Sequence, residues 1–172
     1  VRTIPAVLLL LVAASPMLYY QAGNLVYTQA AANSPDCSGH SARNTPDEFS
    51  VTLWHEDVDV VTHEKNDTLA SNLEPLWFDH WENATIEVPE EPITLAAWIM
   101  EHNTSSPWVI VVHGIRSCKA NHEALIPAAW LYQAGFNVIL FDMRDHGNST
   151  TEDGLVSAGQ REHRDVLAVW QW

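Results

Sequence analysis

Residues 108–172 alternate between strand-like and helix-like segments, and this alternation limits the fold more than any other feature of the sequence. WVIVV at Trp108–Val112 and NVILFD at 137–142 are short apolar runs rich in β-branched residues. Such runs are typical of strands buried on both faces of a parallel sheet. A segment with helical spacing follows each run, so the order predicts an α/β fold with parallel strands and right-handed crossover helices.

Two helices are predicted, one between these strands and one after them. The first lies within 121–133; regular helix is expected from near Ala124, which places Pro127 in the first turn, and Gly135 stands where a left-handed residue ends a helix. The second runs from Gly159 to the end of the chain, with an expected apolar face of His163, Val166, Leu167 and Trp170.

Further strands are predicted upstream. Residues 84–88 and 93–100 are strand-like runs separated by Pro-Glu-Glu-Pro, through which no strand could continue, so they predict a hairpin. Residues 51–62 alternate in part between apolar and polar side chains and predict one strand or two short ones.

The N-terminal segment is apolar enough to suggest a membrane anchor. Residues 4–20 contain no charge, and this length favours a transmembrane or signal-anchor segment over residues 1–27. A cleaved signal peptide and a buried helix are the alternatives. Residues 28–50 are polar and rich in turn-forming residues, so they predict a linker, and the folded domain is expected to cover residues 51–172.

Charge excludes one class of partner. The chain has 22 acidic residues against 8 lysines and arginines, a formal net charge of −14. Its field would repel phosphate backbones, so nucleic-acid binding is not expected.

The sequence also indicates the side of the membrane on which the domain lies. Four acceptor sequons for N-glycosylation, which begin at Asn66, Asn83, Asn103 and Asn148, favour a single-pass membrane protein with its bulk outside the cytoplasm.

Cys37 and Cys118 are the only cysteines, which excludes a disulfide scaffold and a four-thiolate zinc site. Whether the two cysteines pair or stay free is left open by the sequence.

The two predicted parallel strands each end in a loop with polar chemistry, and such loops lie at one edge of an open sheet. His113-Gly114-Ile115 follows the first strand, and Asp142 opens a loop after the second that also carries Arg144, His146, Gly147 and Ser149. Each loop taken alone is equally consistent with a simple strand-to-helix turn.

Four motifs in this order resemble the front of the α/β-hydrolase fold, and in particular its membrane-anchored serine hydrolases. They are HG at His113-Gly114, AGF at 134–136, D-x-R-x-H-G-x-S at 142–149, and G-x-x-E-x-x-D at Gly159, Glu162 and Asp165. The hairpin is similar to the first two strands of that family. The resemblance implies a partial α/β-hydrolase sheet, with the hairpin followed by parallel strands and crossover helices.

The resemblance also implies site roles. The backbone amide of Ile115 would supply one half of an oxyanion hole, His113 and Gly114 would shape that turn, and the loop from Asp142 to Ser149 would brace the site. Asp145 stands where the family commonly has glycine, which puts the local conformation of the loop in question.

The nucleophile of the family is missing from these residues. No G-x-S-x-G elbow occurs in the sequence, and neither Ser149 nor Ser117 lies in a suitable pattern or has an identifiable base. The chain is therefore expected to be a fragment of a membrane-anchored serine hydrolase that contributes the oxyanion-hole half of the site. A non-catalytic, membrane-tethered binding or interaction domain of the same descent is the alternative.

No cofactor or metal is expected. The histidines are not arranged as H-E-x-x-H, and no nucleotide-binding or calcium-binding motif occurs. The expected substrate class is a small molecule, lipid or peptide with an ester, thioester or amide bond.

Overall fold

The computed structural model describes residues 3–32, 37, 44–50 and 73–172. Contacts divide the chain into two compact units, Val1–Ala32 and Asn33–Trp172. The strand predicted over 51–62 and the sequon at Asn66 lie outside the described residues.

The first unit is a single helix, α1 (Thr3–Ala31), with Pro16 inside it. It extends four residues beyond the predicted anchor boundary at residue 27. The sequence predicts that residues 1–27 span a membrane; over the described part of the chain, no helix is both long enough and apolar enough to cross one.

The second unit is built around a mixed four-stranded sheet. Its strands are β1 (Glu82–Glu87), β2 (Thr94–Met100), β3 (Trp108–Val112) and β4 (Asn137–Phe141), and its helices are α2 (His122–Gln133) and α3 (Glu162–Gln171). A short 3-10 helix, Glu74–Leu76, precedes the sheet. The strand order is β1-β2-β4-β3. Two strand pairs are antiparallel, and β3 pairs with β4 in parallel.

The predicted hairpin is confirmed. Strands β1 and β2 pair with Glu87 opposite Thr94, and the connection between them contains both prolines of the Pro-Glu-Glu-Pro sequence. Because proline cannot donate to a strand ladder, the chain turns where the sequence predicts.

Alternate side chains of β2, β3 and β4 enter two apolar clusters, one on each face of the sheet, and β1 contributes to one of them. Leu140 of β4 and Leu125 of α2 belong to the first, whereas Phe141 of β4 and Val169 of α3 belong to the second. All five residues of β4 are buried, as expected of a central strand. By contrast, Trp108 and Val112 at the ends of β3 are exposed, because β3 forms one edge of the described sheet.

Helix α2 starts two residues earlier than predicted. Asn121 caps it, its side-chain oxygen accepting a hydrogen bond from the Glu123 amide at 3.1 Å. Pro127 therefore lies in the second turn, where the missing N–H removes a single helical hydrogen bond. Gly135 has φ +95° just past the helix end, so its predicted left-handed role is confirmed.

Helix α3 turns a different face to the core from the one predicted. Leu167 and Trp170 are exposed, whereas the buried positions are Glu162, Asp165, Ala168 and Val169. The apolar spacing predicts the wrong face because the carboxylates of Glu162 and Asp165 are buried. Both have hydrogen-bond partners, which offset the cost of their desolvation.

Part of the segment predicted as a linker packs against the sheet. Phe49 is buried in the first cluster, and Asn44 donates a hydrogen bond from its side chain to the Ala120 carbonyl at 3.0 Å. Cys37 and Cys118 form a disulfide, with their Cα atoms 5.6 Å apart. This pairing, which the sequence leaves open, joins the segment to the turn that precedes α2.

Candidate active site

The carboxyl ends of β3 and β4 bring His113 and Asp142 together. Each residue directly follows its strand, and the parallel pairing places Val112 opposite Phe141. The His113 Nε2 atom lies 3.9 Å from Asp142 Oδ1, and both side chains are buried. Two of the loops singled out in the sequence therefore meet at one edge of the sheet, as expected for an open parallel sheet.

His113 is held as a neutral imidazole. Its Nδ1 is 2.8 Å from the Gly114 carbonyl, and its Nε2 accepts a hydrogen bond from the Met143 amide at 3.2 Å. One nitrogen therefore donates and the other accepts, which only the uncharged ring can do. Burial lowers the pKa of His113 to about 4. The ring thus links the turn after β3 to the loop after β4 without carrying charge at neutral pH.

Asp142 organises both loops through its carboxylate. It accepts hydrogen bonds from the Lys119 amide at 2.6 Å, the Lys119 ammonium at 2.6 Å and the Asn148 amide at 2.9 Å. A side chain at Gly147 would overlap this carboxylate, and Gly147 has φ +52°. Glycine is thus required there both for space and for backbone conformation.

Lys119 is a site residue that the sequence reasoning missed. Its side chain is buried, forms the ion pair with Asp142, and lies 4.9 Å from the centre of the Trp98 ring. The available signal is one of only two lysines in an acidic chain, in the turn after a strand end. That signal alone gives no partner, because the pairing spans 23 residues.

Ser149 has a structural position in the loop. Its hydroxyl donates to the Asp142 carbonyl at 2.5 Å and accepts from the Ala96 amide at 2.9 Å, which ties the loop to β2. The side chain is buried. A hydroxyl engaged in both directions is not placed as an exposed nucleophile.

Asp145 adopts the left-handed conformation that glycine favours, with φ +60°. Aspartate tolerates this region better than most residues. Its Oδ1 accepts hydrogen bonds from three successive amides, those of Glu152, Asp153 and Gly154. The side chain that replaces glycine therefore organises the next turn of the chain.

Arg144 is the centre of a buried ion network. Its guanidinium donates to Asp165 from Nε at 2.9 Å and from Nη2 at 2.7 Å, and its Nη1 donates to Glu91 at 2.8 Å and to Glu152 at 3.3 Å. The Arg144 amide also donates to Asp165. Arg144 and Asp165 are both fully buried, so the network joins the loop to α3 and to the β1–β2 connection.

His146 is buried beside His113. The ring centres are 4.8 Å apart, and His146 Nδ1 lies 2.7 Å from the Arg144 carbonyl. Its Nε2 has no hydrogen-bond partner among the described residues. His146 therefore packs between the two loops and is fixed by one nitrogen.

The turn after β3 remains open to solvent. Gly114 and Ile115 are both exposed, and Arg116 has φ +58°, which bends the chain sharply. No hydrogen bond joins the Ile115 amide to another atom of the described residues. A backbone donor of an exposed residue, without a partner among the described residues, thus lies at the edge where His113 and Asp142 meet.

A cavity of about 710 Å³ adjoins this edge. Its lining includes Trp81, Asn83, Trp98, Lys119, Asp142 and Asn148. Within the described residues, no group of three or more histidine, cysteine or acidic side chains could hold a metal ion.

The fold resembles solved hydrolase structures. No protein-family model matches the sequence, and no curated protein matches it. The Pyrococcus furiosus esterase Pf2001 superposes over 83% of this chain and 41% of its own, with a TM-score of 0.52 and 19% identity. A second crystal form of that esterase gives a TM-score of 0.49 at 21% identity, with 75% of this chain and 41% of that chain covered. The α/β hydrolase GrgF from Penicillium sp. sh18 gives 0.39 at 21% identity, over 54% and 32% of the two chains.

These comparisons describe the fold rather than an activity. At such identities the likeness extends to architecture alone. The chain spans 41% of the length of the esterase with which it superposes. The second unit therefore has the fold of part of an α/β-hydrolase.

Proposed function

We propose that this chain is the front part of a serine hydrolase that cleaves an ester, thioester or amide bond through an acyl-enzyme. In this proposal the Ile115 amide is one donor of the oxyanion hole. The single observation that carries it is the position of that amide, which lies in the exposed turn after β3 and has no hydrogen-bond partner among the described residues.

The physical reason is that the tetrahedral intermediate places negative charge on an oxygen. A backbone N–H fixed in advance stabilises this charge without reorganising, and one such donor contributes about 3 kcal/mol in related sites. The turn that carries Ile115 is supported by His113, which bonds to the Gly114 carbonyl and to the Met143 amide.

The proposal places the nucleophile, the histidine base and its acid outside these 172 residues. The sequence contains no G-x-S-x-G, and the hydroxyl of Ser149 is bonded to Asp142 and Ala96. We propose a small molecule, lipid or peptide with an ester or amide bond as the substrate, and the esterase among the structural neighbours is compatible with an ester.

The test compares two substitutions at the proposed donor. In the protein made from its complete reading frame, Ile115→Pro removes the N–H, so kcat should fall by about 10²–10³-fold. Ile115→Ala keeps the N–H and changes only an exposed side chain, so kcat should change less than about threefold. Turnover of a p-nitrophenyl ester and labelling by a fluorophosphonate are the measurements, and circular dichroism checks that both variants fold.

Equal activities of the two variants would show that the Ile115 amide is not a donor of the oxyanion hole. Absence of labelling in the complete protein would favour the alternative, a non-catalytic binding or interaction domain. The 172-residue chain alone should not be labelled.

We also propose that α1 anchors the protein to a membrane, with the second unit on the extracytoplasmic side. Residues 4–20 are uncharged, and apolar side chains such as Val12, Met17 and Leu18 are exposed. The Cys37–Cys118 disulfide supports an oxidising compartment, because cytosolic thiols are normally kept reduced.

Carbonate extraction tests the anchor. The whole chain should remain in the membrane pellet at alkaline pH, whereas a variant that starts at Asp36 should be released. Release of the whole chain by carbonate would indicate peripheral association, and recovery of the whole chain in the soluble fraction without carbonate would overturn the membrane assignment.

A further inference from the structure

The sequons are placed very differently in the fold. Asn83 lies in β1, where its side-chain oxygen accepts a hydrogen bond from Trp98 Nε1 at 3.2 Å. Asn148 lies in the loop held by Asp142. Both residues line the 710 Å³ cavity beside the candidate site. Asn103, by contrast, lies in the connection between β2 and β3.

The segment around Asn103 is exposed. All residues from 101 to 105 are exposed. The Asn103 side-chain oxygen accepts hydrogen bonds from the Ser105 amide at 2.9 Å and from the Ser105 hydroxyl at 2.7 Å. Its Nδ2 donates to no atom of the described residues, so this nitrogen is directed to solvent with the sequon hydroxyl beside the same amide group.

The backbone of this turn is fixed to the core. Asn137 is buried; its side-chain oxygen accepts from the His102 and Asn103 amides, and its Nδ2 donates to the Asn103 and Ser106 carbonyls. A large group on Asn103 Nδ2 would therefore project from a rigid turn without displacing a packed side chain.

The turn also lies away from the candidate site. Asn137 is the first residue of β4, whereas Asp142 follows its last residue. The five residues of that strand separate the two ends by about 16 Å. A glycan on Asn103 leaves the site open, whereas Asn83 and Asn148, which are also exposed, would carry a glycan at the lining of the cavity beside Lys119 and Asp142.

We propose that Asn103 carries an N-linked glycan. The donor class is a lipid-linked diphosphate oligosaccharide. A bond forms between Asn103 Nδ2 and the anomeric carbon, the bond from that carbon to the diphosphate oxygen breaks, Nδ2 loses a proton, and the lipid diphosphate leaves. Glycosylation machinery meets only chains that enter an oxidising compartment, with which the Cys37–Cys118 disulfide independently agrees.

The inference rests on the extracytoplasmic location proposed above and not on the hydrolase activity. The experiment is expression of the full chain in a eukaryotic host and its recovery from the membrane fraction, followed by peptide mass spectrometry with and without an N-glycan amidase. The expected result is a glycan on the peptide that contains Asn103, with the peptides of Asn83 and Asn148 occupied to a much smaller extent.

Three substitutions test whether occupancy of Asn103 depends on its sequon. Ser105→Ala destroys the sequon and should abolish the Asn103 glycan, Ser105→Thr preserves the sequon and should retain it, and Ser106→Ala alters the adjacent serine outside the sequon and should leave occupancy unchanged. An unoccupied Asn103 in the recovered full chain, or a glycan that survives Ser105→Ala, would overturn the proposal. Hydrolase activity is measured in a separate assay, so a missing glycan on Asn103 can be told apart from a failure of the proposed enzymatic function.

Discussion

At the residue scale, His113 shows how burial and hydrogen bonding set the charge state of a side chain. The residue is 5% exposed, and burial lowers the pKa of its ring to about 4. The ordinary value of a histidine is about 6.5. The unfolded chain therefore takes up a proton as the pH falls through 6.5, whereas the folded chain does so only near pH 4.

This difference predicts an acid-dependent loss of stability. Between pH 7 and pH 5 the unfolded state binds more protons at this site, so the free energy of unfolding should fall by about 2 kcal/mol from His113. Urea denaturation at the two pH values measures the fall. The His113→Gln variant should lose this part of the pH dependence, whereas His163→Gln, at an exposed position, should keep it. An identical pH dependence in all three proteins would contradict the prediction.

At the scale of elements, the ion network around Arg144 determines how α3 packs. The helix turns Asp165 to the core and leaves Trp170 exposed. Asp165 contacts both the guanidinium and the backbone amide of Arg144. The helix is thus fixed to the loop after β4 by charge-assisted hydrogen bonds, which are stronger than neutral ones.

Removal of the carboxylate should therefore be costly. Asp165→Ala leaves a buried guanidinium with an incomplete set of partners, and the free energy of unfolding should fall by about 3–5 kcal/mol. The matched control is Arg164→Gln. The Arg164–Glu91 ion pair is 2.6 Å long, close to the 2.7 Å of the Arg144–Asp165 pair, but Arg164 is half-exposed. That change should cost less than about 1 kcal/mol. Both values come from denaturant titration, and equal costs would show that burial of the network does not contribute.

At the scale of the whole molecule, the Cys37–Cys118 disulfide closes a long covalent loop that includes strands β1, β2 and β3. The two cysteines are 81 positions apart in sequence, and Cys118 precedes the lysine that pairs with Asp142. The bond therefore attaches the segment before the sheet to the turn that supports the candidate site. Such a cross-link stabilises mainly by limiting the unfolded chain.

The disulfide should contribute about 4 kcal/mol to stability, as expected for a loop of this length. A reducing agent should lower the urea midpoint of the natural chain to that of Cys37→Ala, in which Cys118 remains as a small buried thiol. The same agent should leave the midpoint of Cys37→Ala unchanged. If reduction has no effect on the natural chain, the two cysteines are not paired in solution.

Much of the architecture could be predicted because its signals are local. The strand runs 108–112 and 137–141, the proline-bounded hairpin and Gly135 each depend on residues close in sequence. Strand propensity, turn chemistry and helix ends are set by such neighbours. The meeting of His113 with Asp142 was also predictable, because parallel strands end at one edge.

The remaining features depended on partners far along the chain. The pairing of Lys119 with Asp142 has no local signal, Asp165 matches a motif that assigns it no partner, and the apolar spacing of α3 indicates a face that is largely exposed. A charged residue is normally exposed and becomes acceptable in a core only when a specific partner compensates its desolvation. That partner is identified by the tertiary structure.

The sequence by itself thus determined the succession of strands and helices, the edge at which the polar loops meet and the missing G-x-S-x-G. Only the tertiary structure decided that Cys37 pairs with Cys118, that Ser149 is a bonded part of the loop and that Arg144 is buried among carboxylates. The reason is physical: backbone conformation follows from neighbouring residues, whereas burial and pairing depend on which distant groups the fold brings within hydrogen-bonding distance.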